Sequence, residues 1–179
     1  MVTGDPVEPG AAALGEAKAY LRIAGGDEDA LVTRLIAAAI ELCEQFTGQA
    51  LLERGFVETL PAGAAWRRLG RTPVGAVTSV EALAADGTAS PLPVGAYAID
   101  IDAGGDGWVR VPSPGAARRL RVGYQAGLAA GWADLPQALR QGAVRLAAHL
   151  YAHRDSARDS APPAAVTALW RPWRRLRLR

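Results

Sequence analysis

Apolar residues recur every three or four positions between Asp29 and Gly48, which predicts a long helix that packs on more than one side. Asp27 and Asp29 favour the start of this helix and Gly48 favours its end. A shorter helix is predicted before the Gly-Gly break at residues 25–26. The main apolar stripe of the long helix is predicted to be Leu31, Leu35, Ala38, Leu42 and Phe46, widened by Val32, Ile36, Ala39, Ile40 and Cys43. The polar residues between them, Glu44 included, are expected to face water or a neighbour.

The middle of the chain, residues 51–128, has the period-two alternation of β-strands. Apolar and polar residues alternate along Tyr97–Asp102, and again along Arg119–Tyr124. Asp86-Gly87 and the run Gly104–Gly107 are turn signals between such strands. This region is therefore predicted to be an antiparallel β module.

Helical spacing returns at residues 134–155, where Asp134 and Pro136 are suited to a helix start. The predicted buried stripe of this helix is Leu139, Ala143, Leu146, Ala147 and Leu150. A last short helix is predicted from Pro162, and Pro172 interrupts or bends it. Residues 1–13, which contain Pro6 and Pro9, are expected to form a flexible lead-in.

Helices at both ends with strands between them predict an α+β fold. In this prediction, a helical bundle is built from the N- and C-terminal regions, and a small antiparallel β module is inserted between them. The bundle helices span residues 14–48 and 134–155, and the β-rich insertion spans residues 51–128. The whole domain covers residues 14–161, and residues 162–179 follow it as a C-terminal helix and tail.

Charge is distributed unevenly along the 179 residues, although the net charge is only +2. Residues 1–60 carry ten acidic against four basic residues, whereas residues 61–179 carry eight acidic against sixteen basic residues. The single cysteine, Cys43, excludes an internal disulfide. The first twenty residues lack the basic start and apolar run of a signal peptide, and no apolar window is long enough for a membrane span. No membrane partner is therefore expected.

Candidate catalytic and metal-binding patterns are weak in this sequence. His149 and His153 are four residues apart on one helix face, which is metal-ligand spacing, but no third ligand is evident. The segment Asp100–Gly107 resembles a calcium loop, yet Val111 stands where an EF-hand needs glutamate. No nucleophile elbow or phosphate-binding glycine pattern is present. We therefore expect a protein that is not an enzyme and has no cofactor or metal, with a metal-dependent enzyme built on the two histidines as a weak alternative.

The strongest surface feature is the C-terminal sequence LWRPWRRLRLR, residues 169–179. Three interpretations remain open on the residues alone. The segment is a solubilising tail, or it contacts nucleic acid or a membrane through tryptophan and arginine, or it docks on another protein. Tryptophan and arginine are the residue types that dominate protein-binding hot spots.

The order of motifs along the chain resembles the head–tail connector, or adaptor, family of tailed bacteriophages and phage-derived gene transfer agents. The resemblance covers roughly Leu14 to Trp173. The motifs that carry it are LxEAKxxLRI, DEDAL, FTGQAL, RTPVGAVTSVEALAADG, AYAIDID, VRV, LRVGYQAGL, LPQALRQGAVRLAAHLYAHRD and PPAAVTALW. No single motif is diagnostic, and their ordered combination makes the resemblance specific.

The resemblance implies a structural adaptor at the head–tail junction of a phage-like particle, assembled in the bacterial cytoplasm. It implies a homo-oligomeric ring, a dodecamer, beneath a portal protein, with DNA passing through the channel without sequence-specific binding. A tail-side stopper or terminator protein would bind below it. The portal-docking residues would be Trp170, Arg171, Trp173, Arg174, Arg175, Arg177 and Arg179. The alternative function is a small nucleic-acid-binding protein that uses this basic tail.

Overall fold

The computed structural model of the chain describes residues 1–115, 117–153 and 162–175. These residues form eight strands and four α-helices, in two compact units. The strands are β1 (Val2–Gly4), β2 (Arg54–Pro61), β3 (Arg67–Arg68), β4 (Val74–Leu83), β5 (Ala89–Pro91), β6 (Ala98–Ile101), β7 (Gly107–Arg110) and β8 (Arg119–Ala126). The helices are α1 (Gly10–Leu21), α2 (Asp29–Thr47), α3 (Gln137–Ala152) and α4 (Ala164–Trp170).

The β-rich unit comprises Met1–Pro6 and Glu53–Leu128. It contains a five-stranded sheet in the order β1-β2-β8-β4-β5 and a three-stranded sheet in the order β3-β7-β6, and every pairing is antiparallel. β8 is the central strand, and its alternate residues Leu120, Val122, Tyr124 and Ala126 are at most 1% exposed. The alternation that predicts strands therefore also identifies the buried face of the large sheet.

The predicted fold class, a helical bundle with a small β insertion, was wrong. Strands make up about 27% of the described residues and helices about 38%, and the strands form two sheets rather than one minor module. The β-rich unit has an apolar interior of its own, because alternate residues on its strands face inward together. Its buried side chains include Phe56, Leu69, Val80, Val109, Val111 and Leu120.

The N-terminal residues take part in this unit. β1 pairs with β2 in the register Val2↔Glu58, Thr3↔Val57 and Gly4↔Phe56. Gly4 faces the Phe56 ring so closely that a Cβ there would lie 2.5 Å from it. The segment predicted to be a flexible lead-in, residues 1–13, thus contains a paired strand and the start of α1.

The helical unit comprises Val7–Leu52 and Ala129–Arg179. Within it α2 packs against α3, α1 packs against both, and α4 packs against α3. The contact between α2 and α3 agrees with the expectation that the two long apolar helices bury each other. α3 begins later than the predicted helix 134–155, because residues Trp132–Asp134 form a separate 3₁₀ turn before Pro136.

The buried side of α2 differs from the predicted one. Val32, Ile36, Ala39, Ile40 and Cys43 are fully buried, whereas the predicted main stripe is only half-buried. Glu44, predicted to face solvent or a neighbour, is 4% exposed, and its Oε1 accepts a hydrogen bond of 2.8 Å from the backbone N–H of Leu51. Both apolar sets have helical spacing, so periodicity alone does not tell which set faces the core.

Candidate docking surface at the C-terminal segment

The C-terminal segment begins as a short helix and ends in a tight turn. Pro162 and Pro163 precede α4, and Pro163 has the extended backbone that favours a helix start at the next residue. After α4, residues Arg171–Trp173 form a 3₁₀ turn that contains Pro172. A proline is tolerated at this position because the first N–H groups of a helical turn need no intrahelical acceptor.

Trp170 anchors the segment to the helical unit. Its side chain is 0% exposed, and its ring lies 5.9 Å from the ring of Phe46, centroid to centroid. On α3, a Cβ at Gly142 would lie 2.1 Å from the indole Nε1 of Trp170. Glycine is therefore the residue that lets the indole lie against α3. Trp170 therefore lies in the core of the helical unit, and the docking role assigned to it from the sequence stays a prediction.

The residues after Trp170 are tied to the C-terminal end of α2. The side-chain amide of Gln49 donates a hydrogen bond of 2.6 Å to the carbonyl of Trp173. The backbone N–H of Arg175 donates one of 2.8 Å to the carbonyl of Thr47. The last carbonyls of a helix lack intrahelical donors, so Arg175 supplies what the end of α2 needs. The guanidinium of Arg174 lies 5.8 Å from the centroid of the Phe46 ring.

Three side chains of the segment remain available to a partner. Arg171 and Arg174 are exposed and Trp173 is half-buried. We call these three residues the C-terminal surface. Arg175 is half-buried, and Arg177 and Arg179, which the sequence analysis also assigned to docking, lie outside the described residues. The surface combines two fixed positive charges with one aromatic ring, a chemistry suited to carboxylates and apolar pockets on another protein.

The fold places the rings of His149 and His153 side by side at the C-terminal end of α3. The rings of His149 and His153 lie 4.2 Å apart, and Nδ1 of His153 lies 2.8 Å from the carbonyl oxygen of His149. Among residues 1–115, 117–153 and 162–175, no group of three or more His, Cys, Asp or Glu side chains is placed to hold a metal ion. The histidines thus stand as an i, i+4 pair at the end of α3, without a recognisable third ligand in the described part.

Cys43 and Tyr124 show how burial changes acidity in this protein. Burial raises the pKa of the Cys43 thiol, and the neighbouring Glu44 carboxylate raises it further. Burial likewise raises the pKa of the Tyr124 hydroxyl, and the charge of Glu58 adds to the effect. Both groups are therefore held in the protonated form, which is the opposite of what a nucleophile needs.

No helix in the described part of the chain has the length and apolarity required to cross a membrane.

Comparison with known proteins gives close structural matches. A chain in the neck of an empty gene transfer agent (GTA) particle, computed with C6 symmetry, has a TM-score of 0.78 and 29% sequence identity. A chain in the neck of a native GTA particle, computed with C12 symmetry, has a TM-score of 0.79 and 29% identity. A chain in the virion of a native GTA particle has a TM-score of 0.74 and the same identity. Each match covers 99% of this chain and 97% of the other.

The protein resembles a neck component of GTA particles. The likeness extends over nearly the full length of both chains, so it includes the β-rich unit, the helical unit and the C-terminal segment. It supports a structural role in the neck of a phage-like particle. No protein-family model matches the chain, and no curated protein matches it.

Sequence reasoning missed the residues that hold the C-terminal segment in place. Gly142 offered a signal, because a glycine inside a strongly helical pattern costs stability unless close packing requires it. Gln49 and Thr47 offered none, because their contacts are with residues more than 120 positions away. Trp170 was assigned to the docking tail because its neighbours in sequence are basic and aromatic. In the structure it is the last residue of α4, and its side chain is buried in the helical unit.

Proposed function

We propose that this protein is the head-to-tail adaptor of a phage-like particle, and that it forms a homo-oligomeric ring beneath the portal. The observation that carries the proposal is the match to GTA neck chains over 99% of this chain. The C12 symmetry of one of those necks supports a dodecamer. A ring requires heterologous contacts, in which one face of a subunit meets a different face of its neighbour. The uneven charge along the chain is compatible with such contacts.

The ring would extend the DNA channel from the portal towards a tail-side stopper or terminator protein. Portal attachment is assigned to the C-terminal surface. Arg171 and Arg174 would pair with portal carboxylates, and the exposed part of Trp173 would fill an apolar pocket. Because Trp170 and the tether from Arg175 to Thr47 hold this surface against the helical unit, it is presented to a portal without a large ordering cost.

The first prediction tests this attachment by reversing its charge. The double variant Arg171→Glu/Arg174→Glu replaces two positive charges with two negative ones at exposed positions, so the fold should be retained. Each lost charge-assisted contact should cost about 1.5–3 kcal/mol, so portal affinity should fall by more than about a hundredfold. The measurement is co-sedimentation of the purified protein with portal-bearing heads.

The matched control is Arg34→Glu/Arg118→Glu, which makes the same change of charge at two other exposed arginines. This control should bind heads like the wild type. If both double variants bind heads as tightly as the wild type, the assignment to Arg171 and Arg174 is wrong. If the isolated protein instead binds DNA with strong salt dependence, and only this binding is lost in the first variant, the nucleic-acid alternative is favoured.

A further inference from the structure

The outer face of the three-stranded sheet carries arginine and tryptophan side chains. Arg68 is opposite Trp108 in the register of β3 and β7, and Arg110 lies two residues beyond Trp108 on β7. Side chains two residues apart on a strand point to the same face, so Arg68, Trp108 and Arg110 share it. Val109, on the other face of β7, is 0% exposed. The face with the two arginines is therefore the outer one.

Arg110 on this face is held in position by stacking. Its guanidinium lies 4.6 Å from the centroid of the Trp66 ring, and Trp66 is itself 39% exposed. The Nε of Arg110 is buried without an acceptor, and no ion pair of this arginine is found in the described part of the chain. A guanidinium does not lose its charge in a protein. An oriented cation of this kind is suited to a carboxylate on another chain.

The acidic residues close to Arg110 in the sheet do not supply that carboxylate. Asp106 pairs with Arg68 at 2.6 Å. Asp102 accepts hydrogen bonds from the backbone N–H groups of its own turn, at 2.8 and 2.9 Å. Asp100 is opposite Trp108 on the outer face, and it forms no ion pair with Arg110. The described part of the chain thus leaves Arg110 without an acidic partner, and a second molecule can provide one.

A second copy of the chain offers a carboxylate at Asp27. The sequence predicts that Asp27 favours the start of α2, but the N-cap residue is Glu28 and no side-chain hydrogen bond caps the helix. Tyr151 donates a hydrogen bond of 2.7 Å to Glu28, and Lys18 pairs with Asp29. Asp27 is exposed, and no hydrogen bond or ion pair of its side chain is found among the described residues.

The surroundings of Asp27 and of Arg110 are complementary. Gly25 and Gly26 precede Asp27, and a Cβ at Gly25 would meet nothing within 4 Å, so a partner surface can come close. Residues 7–52 carry seven acidic and three basic residues, whereas residues 62–71, which include Trp66, carry three arginines and no acidic residue. Opposite charge on two surfaces steers their encounter and fixes their orientation.

We propose that Arg110, stacked on Trp66, binds Asp27 of the next subunit in the ring. The contact is heterologous, because each subunit uses Arg110 towards one neighbour and Asp27 towards the other. Trp66 keeps the guanidinium oriented before the partner arrives, so little side-chain entropy is lost on pairing. This inference rests on the proposed ring and assigns one of its subunit contacts. It does not involve the C-terminal surface, which is assigned to the portal.

The test exchanges the two charges between copies. In Arg110→Glu alone, two carboxylates would meet at every contact, and in Asp27→Arg alone, two guanidinium groups would meet. In an equal mixture, the two variants can alternate around the ring so that every contact joins opposite charges. A ring of twelve, the symmetry of one of the matching necks, closes in this alternation because twelve is even. A contact within one subunit would not be restored by mixing.

The measurement is the fraction of portal-bearing heads that carry a complete ring, counted by electron microscopy. We expect each variant alone to give no more than about a tenth of the wild-type fraction, because like charges face each other across the contact. The equal mixture should recover at least about half of that fraction. The matched controls Arg118→Glu and Glu41→Arg make the same charge changes at other exposed positions and should each form rings like the wild type.

Normal rings with either single variant would overturn the inference, and so would equal losses with the controls. A mixture without rings would also overturn it, provided that both variants keep the wild-type circular dichroism spectrum. If the spectrum of Arg110→Glu changes, Asp27→Arg/Arg110→Gln replaces the mixture, because it removes one of the two facing guanidinium groups; no gain of rings over Asp27→Arg would then overturn the inference.

The wild-type result separates this inference from the proposed function. If the wild-type protein forms no ring on portal-bearing heads, the proposed function itself is wrong. If the wild type forms rings and the single variants form them equally well, only the contact between Arg110 and Asp27 is wrong.

Discussion

Replacing Trp170 with alanine tests whether this residue belongs to the core of the helical unit. The side chain is 0% exposed and lies between Phe46 and the backbone at Gly142. A tryptophan buries roughly 150–250 Å², which at about 25 cal/mol per Å² corresponds to roughly 4–6 kcal/mol. Alanine keeps part of that burial, and the neighbours collapse only partly into the space. We therefore expect Trp170→Ala to lower the free energy of unfolding by about 3–5 kcal/mol.

The assay is thermal unfolding followed by circular dichroism at a helix-sensitive wavelength, because α1–α4 all lie in the helical unit. In a chain of this size, each kcal/mol shifts the melting temperature by roughly 2–4 °C, so the shift should be on the order of 10 °C. The matched control is Trp173→Ala, which removes a half-buried indole three residues later and should cost about 1 kcal/mol. If the two variants melt at the same temperature, Trp170 is not part of the core of the helical unit.

Two further predictions concern α2. Ile36→Asp should lower the free energy of unfolding by on the order of 3–5 kcal/mol, because it places an unpaired charge in the core. Leu35→Asp, at a half-buried position, should cost much less. Equal losses of stability in chemical denaturation would show that the assigned buried face of α2 is wrong. Burial raises the pKa of Cys43 in the folded protein, whereas the thiol of the unfolded chain keeps its ordinary pKa of 9.0. Above pH 9 the unfolded thiol therefore ionises while the folded one stays protonated. Stability should therefore fall above pH 9 by up to about 1.4 kcal/mol per pH unit more than in Cys43→Ala, and parallel pH profiles of the two proteins would contradict this.

Local order was largely readable from the sequence, because helices and strands impose different periods on the apolar residues. The two long helices were predicted within a few residues, since Asp29, Gly48 and Pro136 mark their ends by backbone chemistry that acts over one or two turns. The alternation along Arg119–Tyr124 likewise predicted β8 and its buried face. The resemblance to phage connectors also came from the order of motifs, and the matches to GTA necks agree with a structural role in a particle neck.

Only the tertiary structure determines which apolar face of a helix is buried and which strand edges are paired. α2 carries two apolar sets at helical spacing, and only the packing of α1, α3 and α4 around it determines that Ile36 is buried while Leu35 is half-exposed. The N-terminal residues join the β-rich unit because β2 leaves an edge on which they pair, a contact more than fifty residues apart in sequence. The prediction of a small β module underestimated the number of paired strands for the same reason, because strands pair with residues that are far away in sequence.

The C-terminal segment shows the same division between local and long-range information. Its arginines and tryptophans were visible in the sequence as binding chemistry, but Trp170 and Trp173 could not be told apart there. Gly142, nearly thirty residues upstream, leaves the space that Trp170 occupies, and Gln49 holds the carbonyl of Trp173. Composition determines which interactions a segment can make, and long-range packing determines which of its side chains remain available to make them.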